Sequence, residues 1–392
     1  MRPRKDIVTP WNTREVVNDP DIAQHAEPPA GLIDLSVVFV ARNEEAHIEA
    51  CIRTTIEAAE EAVRAGVLRT MEYILVDSAS SDRTVEIASR FPVRIARLEP
   101  SWPLSCSAGC YVGLLHARGT YAAIINADMT IDSRFFAGAL PYFSPDVGAV
   151  VGVAKEDLRA RTIIERLIIR YSSMPLSFGT LPQDVVNHPG GFSAGTLIVR
   201  TDAVRNVSSY NPFLRAAEDM DVRQRLLRAG WRVLDVPVLQ GLHFWASEAE
   251  PLDLLQYYKT ILRNSVGLGQ MAKYHIGRDP WLARRAAQHV LSARTLISSL
   301  PGLGWSVLIA LHLLGLATVD AVLLAGCLVA DAVVAAAVLT GARRARLPAR
   351  DQLFETLVSP AVFAVVRILG FARGFLMVPR RPKDYPARAA AT

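Results

Sequence analysis

The chain has 392 residues, a formal net charge of +5 and 51% hydrophobic side chains, enough for one domain of about 200–250 residues with something further attached. Its basic residues sit in clusters beside apolar stretches, at Arg343, Arg344, Arg346 and Arg350 and again at Arg380, Arg381 and Lys383. With no zinc-ligand spacing and no aromatic-rich RNA-binding motif, this distribution argues for a membrane surface and against nucleic acid as the partner of the positive charge.

Residues 1–30 carry proline and charge without an apolar core, so they read as a flexible arm and not as a signal peptide. "LSVVFVA" (35–41) is a β-branched run that predicts a strand, and it ends in Arg42-Asn43-Glu44-Glu45. Asn43 is placed to cap a helix over 46–63, with the two acids in its first turn, where the helix dipole favours them. "MEYILVD" (71–77) predicts a second strand, ending on Asp77, and Ser81-Asp82-Arg83-Thr84 opens a helix through 90. A third strand follows at 93–98, then a helix over 105–117 closed by Gly119. "YAAIIN" (121–126) is the fourth strand and runs straight into Ala127-Asp128. Strand and helix alternate in steps of about 25 residues, which argues for a parallel sheet with helices on both faces; in such sheets ligands bind beyond the carboxyl ends of the strands.

Beyond residue 145 the pattern loosens. "VGAVVGVA" predicts a strand, 158–171 an amphipathic helix bearing Arg159, Arg161, Arg166 and Arg170, and 188–200 a glycine-rich loop leading into a strand. "AEDMDVRQRLLRAGWRVLDVP" then presents Glu218, Asp219 and Asp221, a helix ending at Gly230, and another strand. The aromatic and basic stretch 251–275 suits either an interfacial helix or an amphipathic helix packed under the preceding domain. From 305 to 339 the chain is almost wholly apolar, long for one membrane span of roughly 20 residues and tight for two. Arg284, Arg285 and Arg294 precede it and the Arg343 to Arg350 cluster follows. Positive flanks on both sides predict a hairpin over about 303–340, turning near Asp320, with both ends cytoplasmic; the alternative is a buried helical pair in a soluble domain. Over 353–378 the interruptions by Glu355, Arg367 and Arg373 fit an amphipathic helix in the interface or a short third span.

The four cysteines, Cys51, Cys106, Cys110 and Cys327, are scattered, so no disulfide framework is expected. Cys106 and Cys110 share a helix face but lack the further ligands a zinc site needs. No G-x-G-x-x-G follows the first strand and no Walker lysine appears, which excludes the usual dinucleotide and P-loop chemistries. Gly190, Gly191 and Gly195 alone are consistent with turns. What remains is a set of acids at predicted strand ends and helix starts. Singly, each is a plausible cap. Together, they are groups of the kind that an enzyme moving a sugar from a nucleotide diphosphate would need. One carboxylate fixes the nucleoside, one holds a divalent metal against the diphosphate, and one takes the proton of the attacking hydroxyl.

"VVFVARNEE", "YILVDSASSDRTVEIA", "INADM" and "LRAAEDMDVRQRLLRAGWRV", in that order, resemble the family-2 glycosyltransferases over residues 35 to 245. The resemblance implies the GT-A fold, an α/β mixed sheet flanked by helices, over 31–250. Linker or interfacial helices would follow at 251–300, a membrane-anchoring helical region at 301–378 and a basic tail at 379–392. Carried over by motif, Asp77 matches the acid that contacts the base, with Asp82 closing that motif and Asn43 and Glu44 at the first strand end completing the nucleotide-sugar site. Asn126-Ala127-Asp128 matches the D-x-D motif, with Asp128 its metal-binding acid. Glu218 and Asp219 match the catalytic E-D pair, with Asp219 the general base. His243, in "GLHFW", lies where many members have a histidine near the metal or diphosphate, although a lone histidine in an apolar setting is also an ordinary structural residue.

Two departures stand out. Asn126 replaces the first acid of D-x-D, and Cys110-Tyr111 stand where the family often has Arg-Asn. The resemblance implies an inverting, Mn²⁺- or Mg²⁺-dependent transferase at the cytoplasmic face of the plasma or inner membrane. Its donor would be a nucleotide sugar, with a UDP-sugar expected, and its acceptor a lipid-linked or cell-envelope glycan. "QRLLRAGW" only echoes the Q-x-x-R-W motif of processive synthases, which favours transfer of a single sugar. The glycine-rich start of same-fold nucleotidyltransferases is missing. The alternative from another class is a catalytically silent membrane adaptor that keeps the fold and binds nucleotide or a partner.

Overall fold

The structure is a computed structural model, and it describes residues 34–156, 186–187, 196–244, 254–290, 360–382 and 385–386, with 326, 328, 329, 332 and 336 singly. The predicted arm at 1–30, the helix at 158–171, residues 188–195 of the glycine-rich loop and most of the 303–340 hairpin lie outside the described residues. The chain divides into two compact units. The first holds Met1–Arg161, Ile169–Pro251 and Pro379–Thr392; the second holds Thr162–Ile168 and Leu252–Val378.

In the first unit, β1 (Leu35–Ala41) is buried along its whole length, because it lies at the centre of the sheet with helices on both faces. It pairs in parallel with β2 (Met71–Asp77) on one side and β4 (Tyr121–Asn126) on the other, and β3 (Arg94–Arg97) continues the parallel run beyond β2. Beyond β4 the sheet turns mixed. β8 (Thr196–Arg200) runs antiparallel to both β4 and β6 (Val147–Glu156), β6 lies parallel to β9 (Arg232–His243), and β5 (Met129–Ile131) is antiparallel to β9. The two-residue β7 (Val186–Asn187) also pairs with β9. The path is β3-β2-β1-β4-β8-β6-β9-β5. The alternation rule therefore describes the first half of the sheet and fails in the second.

The parallel half puts helices on both faces. On one face α1 (Ile48–Arg64) and α4 (Phe135–Ala139) close a core built on Leu35, Val37, Phe39 and Ile125. On the other, α3 (Cys106–His116), α5 (Thr201–Asn206) and α6 (Glu218–Arg228) cover Val38, Val40, Ile74 and Ile124. The short α2 (Thr84–Ala88) follows β2. α3 is seated so closely on β1 that a side chain at Gly109 or Gly113 would collide with Val40 or Val38.

At the amino edge of the sheet Glu72 is a buried anchor. It accepts from Ser36 Oγ (2.6 Å), from Arg118 through its backbone N–H (2.8 Å), Nε (2.9 Å) and a terminal nitrogen (2.7 Å), and from Arg94 (3.1 Å). Burial pushes the carboxyl up, but the Arg118 and Ser36 contacts outweigh it and hold Glu72 below its ordinary value.

The second unit packs α7 (Leu254–His275), α8 (Pro280–Val290) and α9 (Pro360–Leu376) together. Glycines line the α7–α9 crossing. A side chain at Gly269 would strike the Phe371 carbonyl, and one at Gly374 would strike the Val266 carbonyl, so the two backbones approach closely. The helix expected over 353–378 is described over the 17 residues of α9, and 251–275 corresponds to α7. Among the described residues, no helix is long and apolar enough to cross a membrane.

Candidate active site

The loops after β1 and β2 are zipped together at the carboxyl edge of the sheet. Asn43 adopts a left-handed conformation (φ 56°), and so does Ala79 (φ 58°) on the facing loop. Asn43 N–H donates to Ser80 Oγ (2.9 Å), and its side-chain oxygen accepts from the N–H of Ser81 (2.9 Å). Glu44 N–H donates to Thr84 Oγ1 (2.7 Å), Glu45 N–H to Asp82 Oδ2 (3.0 Å), and Arg83 N–H to Glu45 Oε2 (3.1 Å). Asp82 also accepts from the Thr84 hydroxyl (2.6 Å) and N–H (3.0 Å). Burial pushes Asp82 up, but the Thr84 and Glu45 donors prevail and hold it below the usual carboxylate range. Asn43 does not cap α1; that place belongs to His47, without a side-chain cap, because the Asn43 amide is committed to the opposite loop. The structure thus gives Asn43 and Asp82 the work of joining the two loops.

Asp77 is fully buried at the end of β2. It accepts from Ser80 N–H (3.1 Å) and from Arg97 Nε (3.1 Å), and Arg97 also donates to the Ser80 carbonyl (2.7 Å). Arg97 is 58% exposed, so the group presented to solvent at this strand end is a guanidinium.

The D-x-D region is organised by a strand that sequence reasoning did not find. β5 pairs Met129 with His243 and Ile131 with Gly241. Gly241 (φ 151°) is required there, because any side chain would collide with the Thr130 carbonyl. This pairing, with Phe244 N–H donating to the Asp128 carbonyl (2.8 Å), brings His243 Nε2 to 3.4 Å from Asp128 Oδ2. Asp128 Oδ1 is buried and, among the described residues, has no hydrogen-bond partner. Asn126 Oδ1 accepts from the Cys106 thiol (3.4 Å), and its backbone carbonyl from Cys51 (3.7 Å). Glu44 lies near Asp128 and holds His47 Nδ1 at 3.1 Å, and the His47 ring stacks on Phe244 with centroids 5.1 Å apart. Burial raises the Glu44 carboxyl above its ordinary value, and the negative charges of Asp128 and Asp82 add to this against the opposing His47 contact.

Glu218 and Asp219 open α6, directly after Ala217 in a left-handed conformation (φ 67°). The third acid of the cluster, Asp221, faces inward. It pairs with Arg225 at 2.6 Å, and Arg225 also donates to the Val207 carbonyl, while Arg223 bridges to Asp235. The Cys110 contact and burial raise the Cys106 thiol, burial raises Cys110 against the opposing Cys106 contact, and burial raises the Tyr210 phenol; the negative charges of Glu218 and Asp219 add to all three. Cys106 therefore lies within the influence of the acid pair while hydrogen-bonding Asn126, which joins the two halves of the site.

One carboxyl edge thus carries Glu44, Asp77, Asn126, Asp128, His243, Glu218 and Asp219. Arg97, His47, Phe244 and Cys106 were not foreseen as parts of it. For Arg97 a signal existed, a basic residue at the end of the strand adjacent to β2; for His47 and Phe244 none did. Among the described residues, no group of three or more His, Cys, Asp or Glu side chains could hold a metal. Asp128 and His243 still fit a divalent cation as a two-residue donor set. The unpartnered Asp128 Oδ1 is a hard oxygen ligand in search of charge, and a bound diphosphate and water would have to complete the shell.

Residues 36–206 match the model for Glycosyl transferase family 2. The mannosyltransferase PcManGT from Pyrobaculum calidifontis, solved in complex with GDP-Man and Mn2+, is 16% identical, with 91% of this chain and 93% of that chain covered and a TM-score of 0.51. S. aureus TarS 1-349 in complex with UDP-GlcNAc is 12% identical over 86% of this chain and 91% of its own, with a TM-score of 0.42. Glucosyl-3-phosphoglycerate synthase from Mycobacterium tuberculosis, with phosphoglyceric acid, is 18% identical over 62% and 82%, with a TM-score of 0.39. No curated protein matches this chain. The fold is a GT-A-like mixed α/β sheet with flanking helices.

Proposed function

We propose that this protein is an inverting glycosyltransferase that moves a sugar from a nucleotide diphosphate sugar to an acceptor hydroxyl. The observation that carries the reading is the Asp128–His243 pair at 3.4 Å, with its unpartnered buried oxygen, on the same sheet edge as the Glu218–Asp219 pair. A transferase needs positive charge held on one side of the anomeric carbon and a base on the other.

Asp128 and His243 would hold a divalent cation, Mn²⁺ or Mg²⁺, whose chemistry is to neutralise the departing diphosphate. Asp219 takes the proton from the acceptor hydroxyl as that oxygen attacks the anomeric carbon in one displacement, with inversion. Glu218 beside it orients the acceptor. Asn126, its oxygen already accepting from Cys106, presents its amide N–H to the donor. The Asn43 to Thr84 clamp and the Asp77–Arg97 pair fix the loops that face the nucleoside, with Arg97 supplying donors to the base or ribose. A UDP-sugar is the expected donor, with GDP-mannose included because the mannosyltransferase named above was solved with it.

The acceptor is proposed to be a lipid-linked or cell-envelope glycan met at the cytoplasmic face of the plasma or inner membrane. Support comes from exposed Leu369, Leu376 and Val378 with exposed Arg373, Arg380 and Arg381. Release of nucleoside diphosphate from a panel of nucleotide sugars, with purified full-length protein and Mn²⁺, tests the reading. Asp219→Asn should abolish release while leaving metal-dependent nucleotide binding intact. Binding without release by wild-type protein from every donor would return the decision to the silent adaptor.

A further inference from the structure

After α9 the chain re-enters the first unit at Pro379, and this returning segment is more than a basic tail. Tyr385 is 5% exposed and belongs to the core beneath α3 and α6. Its ring meets three others edge-on, Trp102 at 5.6 Å, Phe213 at 5.7 Å and Tyr111 at 6.0 Å. Its hydroxyl donates to the Pro103 carbonyl (3.0 Å), and Pro382 beside it is buried. Arg380 lies over the Phe213 ring at 5.6 Å. One side chain therefore joins three stretches that are distant in sequence: the 98–105 loop through Trp102 and Pro103, helix α3 through Tyr111, and the 207–217 loop through Phe213.

The 207–217 loop is the lead-in to Glu218 and Asp219, and its conformation is demanding. Ser208 (φ 68°), Ser209 (φ 55°) and Ala217 (φ 67°) are all left-handed without being glycine, and such residues persist only where their surroundings over-determine them. Tyr210 is fully buried, and its hydroxyl has no hydrogen-bond partner. The loop is held from the α3 side by Ser107 Oγ donating to the Asn211 carbonyl (2.6 Å) and Ser105 Oγ donating to the Pro212 carbonyl (3.2 Å). Phe213 is also met by the ring of Tyr385 and by the cation of Arg380.

We propose that the returning C-terminal segment is a positioning strap for the catalytic acids, with Tyr385 its anchor and Arg380 its second contact. It fixes the 207–217 loop and, through that loop, the reach of Asp219 to the acceptor hydroxyl. Tyr385 touches no substrate in this scheme; it acts through Phe213, Trp102 and Tyr111. The proposal rests on the transferase reading for its kinetic consequence, and on packing alone for its structural one.

The test uses the full chain with Tyr385→Ala, Tyr385→Phe and Arg380→Ala, read by nucleoside diphosphate release with Mn²⁺ and by amide hydrogen exchange across 207–217. Misplacing a base by about 1 Å lowers turnover by about 10²-fold, so Tyr385→Ala should lower kcat by about tenfold to a hundredfold with donor KM within about threefold. It should also speed exchange in the 207–217 amides. Tyr385→Phe keeps the ring contacts and should stay within about threefold of wild type. Arg380 is exposed, so its replacement opens no core cavity, and it should move both readouts in the same direction by less. Unchanged exchange at 207–217 in both Tyr385→Ala and Arg380→Ala overturns the strap, as does a wild-type kcat with the loop loosened. If the wild-type protein releases nucleotide from no donor, the transferase reading fails, and the exchange arm decides the strap by itself.

Discussion

Asp128→Ala should make the protein more stable and less able to bind its ligand. Among the described residues, Asp128 Oδ1 is buried without a hydrogen-bond partner, and its other oxygen contacts His243 at 3.4 Å. A buried, unsatisfied polar atom costs about 1–3 kcal/mol, so removing the carboxylate in metal-free buffer should return about 1–2 kcal/mol after loss of the His243 contact. In a domain of this size each kcal/mol moves Tm by about 2–4 °C, so a rise of about 2–8 °C is expected. With Mn²⁺ and UDP the order should reverse. A ligand at a hundred times its Kd stabilises the native state by about 2.7 kcal/mol, and the variant should lose that increment. The charge lost is worth roughly 4 kcal/mol at 4 Å and an effective dielectric of 20, which translates into about a 10³-fold weaker Mn²⁺ affinity. Differential scanning calorimetry with and without Mn²⁺ and UDP measures both arms. A variant that melts below wild type in metal-free buffer and still gains several degrees from Mn²⁺ and UDP would refute the assignment of Asp128.

Two further outcomes concern stability and pH. Glu72→Gln should destabilise the fold at pH 7 by about 2–3 kcal/mol, less than a fully buried pair because Arg118 and Arg94 are partly exposed. Since the folded Glu72 carboxyl sits below its ordinary value, its contribution is present above a pH of about 4.3 and fades as pH falls through the folded pKa. Urea melts at pH 7 and pH 3.5 should therefore converge for the two proteins. Glu44 is shifted the other way. Its raised carboxyl favours folding below about pH 4.3 and loses that contribution as pH rises through the folded value, so Glu44→Gln should gain on wild type between pH 4 and pH 7 in the same melts.

β1, β2 and β4 were legible because they are largely apolar runs of six or seven residues punctuated by polar or acidic residues, and their ends fell where the sequence put them. The mixed half was not. β5 is three residues long, too short to display a period, and only its pairing with Gly241 reveals why a glycine interrupts β9. Asn43 looks like a helix cap from its spacing, yet its amide is taken by Ser81 on a loop 38 positions away, a contact that local patterning cannot contain. Asp219 and Asp221 are equivalent as letters; only the folded chain shows that Asp221 is buried against Arg225 while Asp219 is half-buried. Tyr385 was hidden for a related reason. Charge dominated the reading of residues 379–392, while the residue buried in the core is an aromatic one.

The Ser36–Glu72–Arg118 knot lies at the opposite end of the strands from the candidate site. Ser36 is five residues before Ala41 on β1, roughly 17 Å of extended chain. Perturbations that far apart combine additively within a few tenths of a kcal/mol. The sheet therefore behaves as a tool with a fixed handle and a replaceable head. Its carboxyl-edge loops, with their left-handed residues and a carboxylate left without a partner among the described residues, can be altered while the amino edge keeps the strands in register.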